Sequence, residues 1–278
     1  MNPESDKQLL HLTKHHGAGN DFLVLIDLGD ETPLGADAVR ALCDRRFGVG
    51  ADGLIRVIDG GEAADLAMDL KNADGSTAEM SGNGIRCLAQ AAVLAGLVGD
   101  SSFTVSTLAG LRTIDYRSGR HPDSAEASVD MGKAVLGVDQ PQQFVERRVR
   151  QVDMGNPHLV LLGRDPADID VAELGQHLQG VHPGGINVEF IAIGPGSDAI
   201  TLRVWERGVG ETLACGTGSA AAAAAAHSWG LVGETVDVHN PGGTLRVTLE
   251  ADGVRLAGPV RKVADVEVDL SAICEVCP

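Results

Sequence analysis

The chain has 278 residues, 44% hydrophobic and 22% charged, an ordinary globular composition long enough for two buried domains. Its 22 Lys and Arg against 39 Asp and Glu give a formal charge of −17, which argues against nucleic acid or an anionic membrane surface as a partner, because both need basic clusters. The opening Met1-Asn2-Pro3-Glu4-Ser5-Asp6 has neither a basic nor an apolar leader region, and the five cysteines (Cys43, Cys87, Cys215, Cys274, Cys277) are an odd number, so a cytoplasmic protein with reduced thiols is expected.

In chain order, apolar runs and alternation predict a strand at 22–27, a short amphipathic helix at 35–43, strands at 53–58 and 66–70, and a long apolar helix at 84–97. Strands follow at 103–107, 111–116 and 127–130. The polar segment 117–124 reads as a connection between domains. The same order then returns: a strand at 158–162, a helix at 171–178, strands at 188–193 and 199–205, an Ala-rich helix at 219–229, and strands at 235–238, 244–249 and 253–257. A helix apolar on every side is buried all round, most simply as the plug of a strongly curved sheet or barrel. The expected fold is therefore mixed α+β, with lobes at 1–123 and 124–263, the first open to completion by 264–278.

Two glycine-flanked segments carry the argument for duplication. Met80-Ser81-Gly82-Asn83-Gly84 and Ala214-Cys215-Gly216-Thr217-Gly218 stand 134 positions apart (81 to 215), and each opens an Ala-rich stretch ending in Gly-Leu-Val-Gly. Ser81 to Gly96 and Cys215 to Gly230 both span 15 positions. The match extends outward, with Gly19-Asn20-Asp21-Phe22-Leu23 opposite Gly155-Asn156-Pro157-His158-Leu159 and Gly50-Ala51-Asp52 opposite Gly185-Ile186-Asn187. So long a period means two homologous domains rather than a solenoid, and two such lobes are expected to hold a small ligand between them.

Cys215 before Gly-Thr-Gly and a helix places a sulfur at a helix N-terminus, where backbone N–H groups and the dipole favour an anion. A thiol pKa drawn down toward 7 is expected there. The competing reading is a small buried cysteine that only caps a tight turn. The duplicate favours chemistry: an acid/base group for each face of a substrate carbon suits inversion at an α-carbon, with helix N–H groups stabilising the developing carbanion. This scheme needs neither a metal nor another cofactor.

Together with Asn72-Ala73-Asp74-Gly75-Ser76, Glu79-Met80-Ser81-Gly82-Asn83-Gly84-Ile85-Arg86-Cys87, Gly155-Asn156-Pro157-His158, Ile186-Asn187-Val188, and the run Trp205-Glu206-Arg207-Gly208-Val209-Gly210-Glu211-Thr212-Leu213-Ala214-Cys215-Gly216-Thr217-Gly218, the chain resembles the diaminopimelate epimerases over roughly residues 11–263. The resemblance implies a cofactor-independent isomerase of two lobes, each a curved sheet or barrel around a central helix. It implies interconversion of LL- and meso-diaminopimelate in lysine and cell-wall synthesis, and a homodimer. It gives Cys215 as one acid/base, with Ser81 at the place of the other. It implies backbone donors to the reacting carboxylate at Gly82, Asn83, Gly216 and Thr217, and contacts to the substrate's polar ends from Asn20, Asn72, Asn156, Asn187 and Arg207. Glu206 falls near an amino group and His158 beside the catalytic pair. Arg207 suits a carboxylate because its planar fork binds one in bidentate fashion.

Ser81 departs from the pattern, since the family has a cysteine there and an unassisted hydroxyl is a far poorer base than a thiol. An introduced substitution, a natural variant with altered chemistry, and a binding homologue with little turnover all fit that departure. A proline- or histidine-racemase-like activity is a further alternative, against which Arg207 and the asparagines count in the case of proline. Gly216-Thr217-Gly218-Ser219-Ala220-Ala221 also fits a dinucleotide fingerprint, but the preceding residues are polar and loop-like rather than a strand. Cys274 and Cys277 form a lone C-x-x-C and read as tail thiols, because a zinc ribbon needs a second pair.

Overall fold

The structure, a computed structural model, describes residues 9–139 and 148–276, with side chains to residue 273. The described residues separate into two compact units, one of 9–17, 21–127 and 259–276, the other of 18–20 and 128–258. Apart from the short excursion at 18–20, the chain changes unit inside a strand, between Ala127 and Ser128 and again between Gly258 and Pro259.

In the first unit the order is β1 (Leu9–Gly17), β2 (Asn20–Ile26), α1 (Ala36–Cys43), β3 (Gly53–Asp59), β4 (Leu66–Asn72), β5 (Thr77–Ala78), α2 (Gly82–Leu94), β6 (Ser102–Thr107), β7 (Gly110–Ser118) and β8 (Ser124–Asp130). The second continues with β9 (Val135–Asp139), β10 (Arg148–Asp153), β11 (Pro157–Leu162), a 3-10 turn (Pro166–Asp168), α3 (Val171–Val181), β12 (Asn187–Ile193), β13 (Ala199–Glu206), β14 (Gly210–Thr212), α4 (Gly216–Ser228), β15 (Thr235–Asn240), β16 (Gly243–Leu249) and the start of the long β17 (Val254–Asp269), which from Pro259 belongs to the first unit, as does α5 (Leu270–Val276). The two units have one topology. β2 runs parallel to β3, β3 antiparallel to β4, β4 parallel to β6 and β6 antiparallel to β7. The same relations join β11, β12, β13, β15 and β16. Each parallel step needs a crossover, which α1 and α2 provide in one unit and α3 and α4 in the other.

The first sheet closes into a barrel because β17 pairs with both β8 and β1, and β1 pairs with β2. Inside it α2 touches β1, β3, β4 and β7. In the second unit α4 touches β10, β11, β12, β13, β15 and β16, and Ala220 to Ala226 are all buried. Strands enclosing a helix this closely leave room for methyl groups and little more, which accounts for seven successive alanines. The outer face is covered separately: α1 packs Val39 and Leu42 against Leu23, Leu25 and Leu54, and α3 packs Val171 and Leu178 against Leu159, Leu161, Val188 and Phe190. Because side chains alternate along a strand, His158 and Glu189 face the opposite way, toward α4.

Candidate active site

The central helices begin in the same way. Ser81 is the N-cap of α2, its Oγ accepting from the Gly84 N–H at 3.0 Å. Cys215 is the N-cap of α4, its Sγ accepting from the Gly218 N–H at 3.3 Å. Both helices thus start at the glycines, two to three residues before the starts at 84 and 219 that propensity suggests. A capping side chain and a surrounding sheet outweigh the poor helix propensity of Gly-Asn-Gly and Gly-Thr-Gly. The N–H groups of a first turn have no carbonyl within their own helix to bond, so Gly82, Asn83, Gly216 and Thr217 carry donors suited to a carboxylate.

The surroundings of the two caps differ in charge. At α4 the Cys215 thiol hydrogen-bonds the Glu206 carboxylate, which also accepts from Thr212 Oγ1 at 2.5 Å. Burial, then the Glu206 charge, pushes the Cys215 thiol well above its ordinary range, outweighing its bonds to Thr217 and Gly218. The helix-end expectation of a lowered thiol pKa is therefore reversed. Burial likewise raises Glu206, against its hydrogen bonds to Thr212 and Cys215. Two groups of raised proton affinity in contact can pass a proton between them.

Around α2 the charge is positive. Arg86 is fully buried and donates to the Gly82 carbonyl at 2.8 Å and to Asn83 Oδ1 at 2.7 Å, and burial lowers its pKa to about 10. Its guanidinium thus lies under the first turn that Ser81 caps. Cys87, one residue on, is buried and pushed up to about 12, chiefly by that burial, so it is inert as a base.

The second unit gathers the remaining residues. His158 Nδ1 lies 2.6 Å from Glu189 Oε1, and its Nε2–H donates to Asn156 Oδ1 at 2.9 Å. Thr217 Oγ1 stands 3.5 Å from both Asn156 Nδ2 and Cys215 Sγ. Asn187 Nδ2 donates to the Pro157 carbonyl and its Oδ1 accepts from the Arg207 N–H at 2.9 Å. Arg207 itself is exposed, its stem lying across Gly185, where φ is +74° and an added Cβ would fall 3.0 Å from Arg207 Cδ. Asn20 follows Ala18 and Gly19, which lie against Gly242 and the Leu213 of the Cys215 loop. Asn72 sits at the end of β4, bonding Ser76 through its side chain at 3.0 Å. Cys277 and the side chain of Cys274 lie outside what the structure describes.

Comparison with known proteins then decides the family. A sequence profile described as diaminopimelate epimerase matches residues 12–137 and 150–263. The chain belongs to the diaminopimelate epimerase family. A family relative from Corynebacterium glutamicum is 42% identical over 92% of this chain and 97% of its own, and one from Leptospira biflexa serovar Patoc is 35% identical over 94% and 99%. Both are named diaminopimelate epimerase. Among solved structures, a hydroxyproline epimerase from Agrobacterium vitis superposes with a TM-score of 0.71 at 19% identity, covering 95% of this chain and 93% of that one. A phenazine biosynthesis protein from Bacillus anthracis gives 0.72 at 16%, covering 94% and 99%. At those identities the likeness is one of fold.

Three residues of this family member escaped the sequence reading. Glu189 is a fully buried carboxylate in the otherwise apolar run Val188 to Ile193, and a lone acid in such a strand was the available signal. Arg86 gave the same kind of signal inside an apolar helix. Thr212 gave none, because its role depends on the β13–β14 hairpin that brings it to Glu206.

Proposed function

We propose that this chain interconverts LL- and meso-diaminopimelate without a cofactor, taking the α-proton from one face of the carbon and returning a proton to the other. The observation that carries the reading is the duplicated strand, turn and helix, in which an acid/base side chain caps each central helix. Cys215 is one acid/base group, with Glu206 as its proton partner and His158 behind Asn156. Ser81 is the other, with the Arg86 cation under its helix turn favouring negative charge there. The first-turn N–H groups of Gly82, Asn83, Gly216 and Thr217 hold the reacting carboxylate and the charge that spreads onto it. Asn20, Asn72, Asn156, Asn187 and Arg207 bind the polar ends, with Arg207 reading the distal carboxylate.

The test is conversion of LL- to meso-diaminopimelate by the full chain with no cofactor added, beside Cys215→Ala. Loss of at least about 10²-fold in the variant is expected, and an unchanged rate would remove Cys215 from the mechanism. We also infer a cytoplasmic homodimer, in line with family membership. Among the described residues no helix is long and apolar enough to cross a membrane. Light scattering should give about twice the chain mass, and a value near 28.8 kDa would contradict the dimer.

A further inference from the structure

The duplication offers an internal comparison at Glu189. An added Cβ on Gly218 would meet Glu189 Oε1 at 2.8 Å, and one on the matching Gly84 would meet Ile55 Cδ1 at 3.3 Å. One strand over, His158 stands opposite Asn187 on β12 as Phe22 stands opposite Gly53 on β3. The first unit thus fills with Phe22 and Ile55 the places that the second fills with His158 and Glu189, and all four are buried. The fold accepts an apolar pair at this position. A buried ionisable pair costs several kcal/mol per ion in desolvation and commonly adds no stability over well-packed apolar groups. Its presence only in the unit whose central helix is capped by Cys215 points to the site rather than to the core.

The hydrogen bonds define what the pair does. Asn156 Oδ1 can only accept, so His158 Nε2 carries a proton, and at 2.6 Å a second proton lies between Nδ1 and Glu189 Oε1. Glu189 Oε2 is buried with no hydrogen-bond partner among the described residues, so the carboxylate is committed to the histidine. From Asn156 the chain of contacts continues to Thr217 Oγ1 and on to Cys215 Sγ.

We propose that Glu189 is a positioning residue for the epimerase site, holding His158 with its Nε2–H on Asn156 and so fixing that amide beside Thr217 and the Cys215 sulfur. The assignment rests on the function proposed above, in which Cys215 is an acid/base. The titratable groups acting on Cys215 are Glu206 of β13 and Glu189 of β12, while His158 of β11 acts on Glu206.

The experiment compares the full chain with Glu189→Gln and with the double variant His158→Phe/Glu189→Ile, which writes the first unit's pair into the second. Three readouts are taken: Tm, kcat and KM for LL-diaminopimelate, and the pH dependence of Cys215 alkylation by iodoacetamide, read on the Cys215 peptide by mass spectrometry. The double variant should melt no lower than the parent. Both variants should lose about tenfold or more in kcat with KM within about twofold. Glu189→Gln should alkylate with a midpoint shifted to lower pH, because a negative charge near the sulfur is gone. A Glu189→Gln protein with parental kcat and a parental alkylation profile would overturn the assignment, as would a double variant that melts lower and loses activity only in step with its folded fraction. A parent without epimerase activity would defeat the proposed function instead, and the alkylation comparison would still decide the role of Glu189.

Discussion

A helix N-terminus favours a thiolate, yet Cys215 in its setting holds its proton more tightly than a free thiol, because burial and the adjoining Glu206 charge outweigh two hydrogen bonds. The thiol is therefore the resting form, and the enzyme must move that proton to use Cys215 as a base. Glu206→Gln removes the neighbouring charge and the acceptor together. Cys215 alkylation should shift to lower pH in that variant while epimerisation falls by about 10²-fold, and a fall in activity without the shift would contradict the coupling. The Arg207 side chain is exposed and lies along Gly185, its guanidinium making a long 3.4 Å contact to the Gly184 carbonyl. Arg207→Lys should raise KM for diaminopimelate and leave kcat nearly unchanged, since a point charge replaces a planar fork. An unchanged KM would remove Arg207 from substrate binding. At this scale the sequence displayed Cys215, Glu206 and Arg207 through their motif, but not the direction of the thiol pKa. That direction depends first on burial and then on the charges of Glu206 and Glu189, which lie on β13 and β12 and meet α4 only in the fold.

The helix starts and the longest strand show what pattern alone can and cannot reveal at the level of elements. Residues 82–83 and 216–218 read as loop by propensity and are helix by capping. β1 is hidden in the sequence because buried Leu10 and Leu12 lead into Lys14-His15-His16, whose polarity masks a buried His15. The pattern of β17 is legible only to 257, although the strand runs to Asp269, because Pro259 and interleaved Lys, Arg, Asp and Glu mask a strand that pairs with β1 along that stretch. The close contact at the start of α4 makes an element-level prediction. In Gly218→Ala the new Cβ would fall 2.8 Å from Glu189 Oε1 and 3.3 Å from Cys215 Sγ, whereas in Gly84→Ala it would meet Ser81 Cβ at 3.1 Å and the ends of Ile55 and Met68 at 3.3 Å. Thermal melts should show Gly218→Ala the more destabilised, by about 1–3 kcal/mol. Equal melting temperatures would mean that the Glu189 carboxylate moves aside at little cost.

Across the whole molecule the duplication was legible because a site motif, a helix and a Gly-Leu-Val-Gly ending recur at a fixed spacing. The pairing of strands was not, since the register of β4 with β6 or β13 with β15 depends on contacts across a crossover. A buried histidine sets the pH response of stability. His15 donates from Nδ1 to Gln90 Oε1 and accepts at Nε2 from Thr13, and burial lowers its pKa to about 4 from 6.5. The folded state therefore favours the neutral ring: its contribution is complete above pH 6.5 and is lost as pH falls toward 4, a change on the order of 3 kcal/mol. Asp21, held at about 2 by Arg45 and Lys14 against the cost of burial, loses its contribution only below about pH 4. Melts of the chain and of His15→Gln between pH 7 and 4.5 should converge as pH falls. The difference between the two proteins isolates His15 from Glu206, whose raised pKa acts in the opposite sense. Parallel curves would show that His15 does not charge on unfolding.

The central claim is that Cys215 and the residue at position 81 serve opposite faces of one α-carbon. Its most direct test is NMR of LL-diaminopimelate in D₂O with this chain and with Ser81→Cys, following α-deuteration and the meso isomer together. The account expects both proteins to incorporate deuterium as meso product forms, with Ser81→Cys faster by about 10²-fold because a thiol replaces a hydroxyl as the base. A Ser81→Cys protein no faster than the parent, or the absence of deuteration in both, would contradict it.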